Sequence, residues 1–199
     1  GSSVGALNGA LMVQGDYELA ENVWTGMTIA GIINLEKQIS DAGGQRDKTS
    51  ALIGIIKNMI LSGGLDVSPL KKMLYDVIDE KKIRESETDF GLVTFSLTDF
   101  KPLSIFKKDI PDGKLVEYLL ASACLPAFKP QQIEGKRFID GGVYDNIPIS
   151  LMVQKDIKDI IVVDVDGIGL NKRVNNRELN ITYIKASENL GGTLSFDGQ

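Results

Sequence analysis

Gly1-Ser2-Ser3-Val4-Gly5 spells G-x-S-x-G, followed by the small residues and single leucine of Ala6-Leu7-Asn8-Gly9. This pattern constrains the fold more than any other stretch, because it belongs to a nucleophile elbow, a sharp turn at which a strand becomes a helix. The flanking glycines, Gly1 and Gly5, serve a backbone bent too tightly for a Cβ, and the turn directs the Ser3 hydroxyl outward. A helix beginning just under Ser3 places partial positive charge and the N–H groups of Val4 and Gly5 near a developing oxyanion. A lone G-x-S-x-G also arises by chance in a chain with 21 glycines, and Gly-Ser-Ser is also what a cloning scar looks like. The remaining residues decide between these readings.

The most informative count is that of histidine, which is zero in 199 residues. Every Ser-His-Asp or Cys-His mechanism is therefore excluded within this chain, as is a histidine-ligated zinc site. A nucleophilic Ser3 needs a carboxylate or a lysine as its base. Cys124 is the single cysteine, so there is no intrachain disulfide and no thiolate cluster, which is compatible with a reducing interior. With 22 Lys plus Arg against 27 Asp plus Glu the net charge is -5, and no basic segment suits nucleic acid. No stretch approaches the roughly 20 apolar residues of a membrane span, and no basic-then-apolar leader opens the chain, so the reading is of a soluble domain.

Taken in order, Ala6 to Gln14 continues the elbow helix, and Asp16 caps a second helix through about Trp24. Residues 25–88 read as a helical, cap-like region interrupted by glycines. Within it, the run from Ala51 to Leu61 suits either a lipid-facing cap or, the favoured reading, a buried helix. Ser68-Pro69 reads as N-cap and first turn of a helix facing inward with Leu70, Met73, Leu74, Val77 and Ile78. Lys81 to Glu87 is expected as a solvated surface segment. Period-two alternation through Val93, Phe95 and Leu97, then Leu103 to Phe106 after a turn at Asp99 to Pro102, predicts a hairpin. Ser104 to Lys107 matches S-x-x-K, but the strand reading outweighs a Ser-Lys enzyme, whose companion motifs are absent.

Pro111-Asp112 is expected to cap a helix from Gly113 to about Cys124, with Cys124 as a small core residue rather than a reactive thiol. A short hairpin over Gln131 to Ile139 delivers Asp140-Gly141-Gly142, an aspartate at a strand end whose two glycines permit close approach of another element. A short helix follows over Ser150 to Lys155. Ile160-Ile161-Val162-Val163 reads as a strand buried on both faces of a parallel sheet. Asp164 to Gly167 only faintly resembles a calcium loop, and no metal is assigned. Ile181 to Ile184 reads as a last short strand and Leu190-Gly191-Gly192 as a turn.

Four segments together resemble the bacterial patatin-like phospholipases: residues 1–9; Ala121-Ser122-Ala123-Cys124-Leu125-Pro126-Ala127-Phe128; Phe138-Ile139-Asp140-Gly141-Gly142-Val143 with Asp145-Asn146-Ile147-Pro148; and Ser187-Glu188-Asn189-Leu190-Gly191-Gly192. The resemblance implies an α/β fold, three layers α/β/α around a mostly parallel central sheet, and a Ser-Asp dyad of Ser3 and Asp140 supported by Gly141 and Gly142. It implies no cofactor and no metal, a lipid substrate, and transient contact with membrane surfaces, which the net charge does not assist on anionic bilayers. Relatives carry a glycine-rich oxyanion loop and a first strand before the elbow and continue past the position of Gln199. The expectation is thus a single catalytic domain over 1–199, incomplete at its N-terminus and its C-terminus and weakly active without that loop. The function implied is hydrolysis of fatty-acyl esters of phospholipids or lysophospholipids. The alternatives are a catalytically silent lipid-binding or interaction module, and an acyltransferase.

Overall fold

The computed structural model describes residues 1–34, 63–167, 169–172, 174 and 178–188. Residues 35–62, with the run over 51–61, and the turn at 190–192 lie outside the described residues. Helix α1 (Val4–Gln14) buries Ala6, Leu7, Ala10 and Leu11 and ends on Gly15, which takes the left-handed φ of 80° that favours glycine. Helix α2 (Tyr17–Thr25) starts where Asp16 accepts the Leu19 N–H, as its sequence predicts. After the short α3 (Ile29–Ile32) comes α4 (Ser68–Val77), with Leu70 and Leu74 buried. Ser68 is inside the helix rather than its cap, and its N–H is taken by the Asp66 carboxylate at 3.0 Å.

The sheet differs most from expectation. Strands β1 (Gly91–Ser96), β2 (Lys101–Phe106), β3 (Gln131–Ile133) and β4 (Lys136–Asp140) pair in the order β2-β1-β4-β3, every neighbour antiparallel. The expected mostly parallel sheet is corrected accordingly: the four-stranded sheet is antiparallel. The two expected hairpins account for β1–β2 and β3–β4, whose turns at 97–100 and 134–135 are far too short for the crossover that parallel neighbours need, and β1 also meets β4 antiparallel across the long connection through α6 (Leu115–Ser122). Among the described residues, parallel pairing is found in isolated bridges of Ser2 with Val93 and of Leu65 with Phe128, and in a separate pair, β5 (Asp159–Asp164) with β6 (Asn180–Lys185). The fold class is α/β.

Burial corrects two more readings. β1 is not one-sided: Leu92, Val93, Thr94 and Ser96 are all buried, and the polar pair is satisfied, Thr94 donating to the Ile139 carbonyl and Ser96 to Asp99. β5 is the reverse, with Ile160 and Val162 buried but Ile161 70% and Val163 68% exposed. An unbroken apolar run reads alike whether one face or two are covered. Helix α6 (Leu115–Ser122), buried along nearly its whole length, lies across β1, β3 and β4 and meets α1 and α4, so the main core sits between helices and sheet. A second, small cluster joins Ile149 of α7 (Ile149–Val153) to Ile160 and Val162.

The segment expected to be solvated is instead helix α5 (Glu80–Glu85), capped by Asp79, with Ile83 wholly buried. Its charges act as cross-links. Arg84 is paired with Glu80 and donates to the carbonyls of Lys107, Ile110 and Pro111. Glu80 also accepts the N–H groups of Gly113 and Leu115, and so caps α6 in place of the expected Pro111-Asp112. Lys107, of the S-x-x-K match, donates to the carbonyls of Ile83, Ser86 and Thr88, and Ser104 lies exposed on β2.

Candidate active site

Gly1-Ser2 and β4 lie on the same flank of β1, running towards each other. Gly1-Ser2 runs parallel to β1 beside Gly91 to Val93, with the Val93 N–H donating to the Gly1 carbonyl at 3.2 Å. β4 runs antiparallel beside Thr94 to Ser96 and ends with Asp140 opposite Thr94. The C-terminal ends of two strands therefore abut, and the residues that leave them, Ser3 and Asp140, converge. Ser3 Oγ donates to Asp140 Oδ2 at 2.5 Å, across 137 residues of sequence.

Ser3 has φ 53° and ψ -131°, outside the helical and extended regions. A non-glycine residue so placed costs about 1–3 kcal/mol and persists only where its surroundings enforce it. The enforcement is visible on each side. The Ser3 N–H donates to Ser122 Oγ at 3.1 Å, and the Ser3 carbonyl accepts from Ala6 and Leu7 in the first turn of α1. A Cβ on Gly1 would lie 2.2 Å from the Gly5 carbonyl oxygen, so the first glycine of the motif is a steric requirement. A Cβ on Gly5 would meet nothing within 4 Å, so the second is not. The Gly5 N–H is already engaged by the Ser2 carbonyl at 2.9 Å, whereas the Val4 N–H has no hydrogen-bond partner among the described residues.

Asp140 is 3% exposed. Burial pushes its carboxyl above the usual range, and the hydrogen bonds from Ser3 and from the Gly142 N–H, the latter 2.7 Å to Oδ1, oppose that rise. Its own N–H donates to the Cys124 carbonyl at 2.7 Å. The glycines that follow have separate reasons. A Cβ on Gly141 would lie 2.2 Å from the Val93 carbonyl oxygen and 2.9 Å from Ser2 Oγ, so this position admits no side chain against β1. Gly142 lies within the 3₁₀ turn Gly141–Val143, where a Cβ would come within 3.1 Å of both Asp140 Oδ1 and Asn146 Oδ1. The expected approach of another element to Asp-Gly-Gly is thus that of β1.

The arrangement brings together all the site residues expected from the sequence: Gly1, Ser3, Val4, Gly5, Asp140, Gly141 and Gly142. Cys124, 1% exposed, has its thiol pushed up to about 11 by burial, which suits a core residue. Ser122 lies in one of the four segments that carry the resemblance, but nothing in its sequence marks it for a part in the site. A serine within an apolar helix reads as packing, and only its contacts with Ser3 and Val93 distinguish it. Asp145 was missed likewise: it is 2% exposed, accepts from Ser150 at 3.3 Å, and its N–H returns to the Gly141 carbonyl, tying the loop below the site. A buried carboxylate of raised pKa in short contact with a strained, positioned hydroxyl can accept that hydroxyl's proton as it attacks an electrophilic carbon. A family model for patatin-like phospholipases matches residues 1–153, a span that contains both residues.

Proposed function

The chain belongs to the patatin-like phospholipase family, and from that premise we propose that it cleaves fatty-acyl esters of phospholipids or lysophospholipids, with Ser3 as nucleophile and Asp140 as its base. The observation that carries this reading is the 2.5 Å hydrogen bond from Ser3 Oγ to the buried Asp140 carboxylate, made from a backbone held at φ 53°.

Asp140 Oδ2 takes the Ser3 proton while Oγ bonds to the ester carbonyl carbon. As the tetrahedral intermediate collapses, the protonated carboxyl hands that proton to the leaving alcohol oxygen, and the acyl group remains on Ser3. Water then attacks the acyl-enzyme with Asp140 as base, the fatty acid departs, and the proton returns to Ser3. The oxyanion forms beside the N-terminus of α1, where the Val4 N–H is the available donor and the helix dipole favours negative charge. Dependence on a carboxylate base accords with a chain that has no histidine.

The test is covalent labelling by a fluorophosphonate with peptide mapping, in the protein as its gene encodes it, alongside hydrolysis of a defined phospholipid. Labelling at Ser3 is expected, with loss in Ser3→Ala and a fall of at least about 1,000-fold in Asp140→Asn, in the range of losing a triad member. Labelling elsewhere, or full activity in Asp140→Asn, would overturn the assignment. Transfer of the acyl group to an added alcohol in preference to water would replace hydrolysis by acyl transfer at the same dyad.

A further inference from the structure

Ser122 is the last residue of α6 and is wholly buried. Its hydroxyl is committed in two directions, accepting the Ser3 N–H at 3.1 Å and donating to the Val93 carbonyl at 2.7 Å. That carbonyl belongs to the β1 residue bridged to Ser2 and is the atom against which Gly141 is pressed. Two residues beyond Ser122, the Cys124 carbonyl accepts the Asp140 N–H at 2.7 Å. The chain leaving α6 therefore grips the backbone of both members of the dyad, Ser3 through a side chain and Asp140 through a main-chain carbonyl.

We propose that this 122–124 turn is the template that sets the separation of Ser3 and Asp140, and that Ser122 is a positioning residue holding Ser3 in its strained conformation. The inference rests on the Ser3–Asp140 reading. A hydroxyl suits the task because one group supplies both an acceptor and a donor. With its proton fixed on Val93, a lone pair faces the Ser3 N–H, and the elbow is referenced to the central strand rather than to solvent. Alanine at 122 would leave the Ser3 N–H without its acceptor and the Val93 carbonyl without this donor, both in a buried setting. Nothing else holds the Ser3 N–H among the described residues, so the elbow would relax and carry Oγ away from Oδ2.

Two consequences separate positioning from mere support of the fold. Lost alignment lowers the chemical step and not ester binding, so kcat falls while KM stays. Asp140 also loses the Ser3 hydrogen bond that favours its ionised form, so the acid limb of the pH profile moves to higher pH. Cys124 is the titratable group facing Asp140 from this turn, and its thiol stays neutral throughout that range.

The experiment compares wild type, Ser122→Ala, Ser122→Cys and Ser96→Ala for fluorophosphonate inactivation rate against pH, for kcat and KM on a soluble short-chain ester, and for thermal midpoint. Ser96 is an equally buried serine that serves the turn after β1. Ser122→Ala should inactivate about 10- to 100-fold more slowly, the range set by misplacement on the order of 1 Å, with KM within about twofold and the acid limb raised. Ser122→Cys, with its weaker and longer hydrogen bonds, should fall between and decides the matter if the alanine variant does not fold. Ser96→Ala should lower the midpoint and leave the limb in place. Wild-type rates and limb in the Ser122 variants that fold, whatever their midpoints, would overturn the template and leave the dyad standing. Wild type unlabelled at Ser3 would overturn both.

Discussion

At the scale of single residues, the site holds one buried charge with no cation to balance it: among the described residues no lysine or arginine forms an ion pair with Asp140. Its ionised form is held by the Ser3 hydroxyl and the Gly142 N–H alone, and burial raises its pKa despite them. The sign follows from linkage. A folded pKa above the unfolded one gives stability that is present below the unfolded pKa and lost as pH rises through the folded value, so at neutral pH the charge is a net cost. Asn has the same shape, and its oxygen can still accept from Gly142 while its amide donates to Ser3. Asp140→Asn should therefore be inactive and yet melt higher than wild type at pH 7, by about 2–4 °C if the relief is about 1 kcal/mol, with the difference shrinking near pH 4. Calorimetry at the two pH values checks it, and an unchanged or lower midpoint at pH 7 would mean the charge is not strained. Ser3 and Asp140 were legible in the sequence as a pair through the family resemblance, carried by G-x-S-x-G and Asp-Gly-Gly runs in which Gly1 and Gly141 answer a steric demand. Ser122 and Asp145 were not, since what distinguishes a buried serine or aspartate is a partner dozens of residues away.

Elements were legible where a local rule governs them. The Asp16 and Gly15 signals bounded α2 and α1, and Glu134-Gly135, both at positive φ, closed the β3–β4 hairpin. What failed was non-local. Both antiparallel hairpins were legible from their turns, whereas the mostly parallel sheet was expected from the resemblance alone and the β1–β4 pairing has no local signal, and α5 carries too few apolar residues for periodicity to reveal a helix. Its charge-rich sequence is explained by the neighbour it serves. Glu80 receives the Gly113 and Leu115 N–H groups at 2.9 and 3.3 Å while paired with Arg84, both side chains mostly screened from water at 20% and 24% exposure. Glu80→Ala removes a cap and the less exposed of the two carboxylates paired with Arg84, leaving the guanidinium with Asp112 and its carbonyl acceptors, which should cost about 1–3 kcal/mol. Glu80→Gln, which keeps an acceptor but not the charge, should cost about half of that. Urea midpoints measure both, and an alanine variant with the wild-type midpoint would show that α6 is capped by something else.

Across the whole molecule, stability is unevenly distributed. The main core joins α1, α4, α5, α6 and the antiparallel sheet, whereas Ile149, Ile160 and Val162 form a separate small cluster. The β5–β6 pair depends on that small cluster, has one face exposed, and lies beyond the residues matched by the family. Two strands alone are marginal in water. The link between the clusters passes through the loop after Asp140: the Leu170 N–H donates to the Gly142 carbonyl at 2.9 Å, and the Asn146 N–H donates to the Leu170 carbonyl at 2.7 Å. A second tie is the ion pair of Lys155, just after α7, with Asp89, just before β1, at 2.6 Å. Opening of the β5–β6 layer should therefore cost less than global unfolding and should release the loop after Asp140 as it occurs. Native-state hydrogen exchange in rising urea is expected to expose amides of 159–164 and 180–185 first and those of 91–96 last. The rate of Ser3 labelling should fall over the first transition, before the main core melts. Exchange of all three strands in one step, with labelling lost only at that step, would instead make the molecule a single cooperative unit in which the loop after Asp140 is as stable as β1.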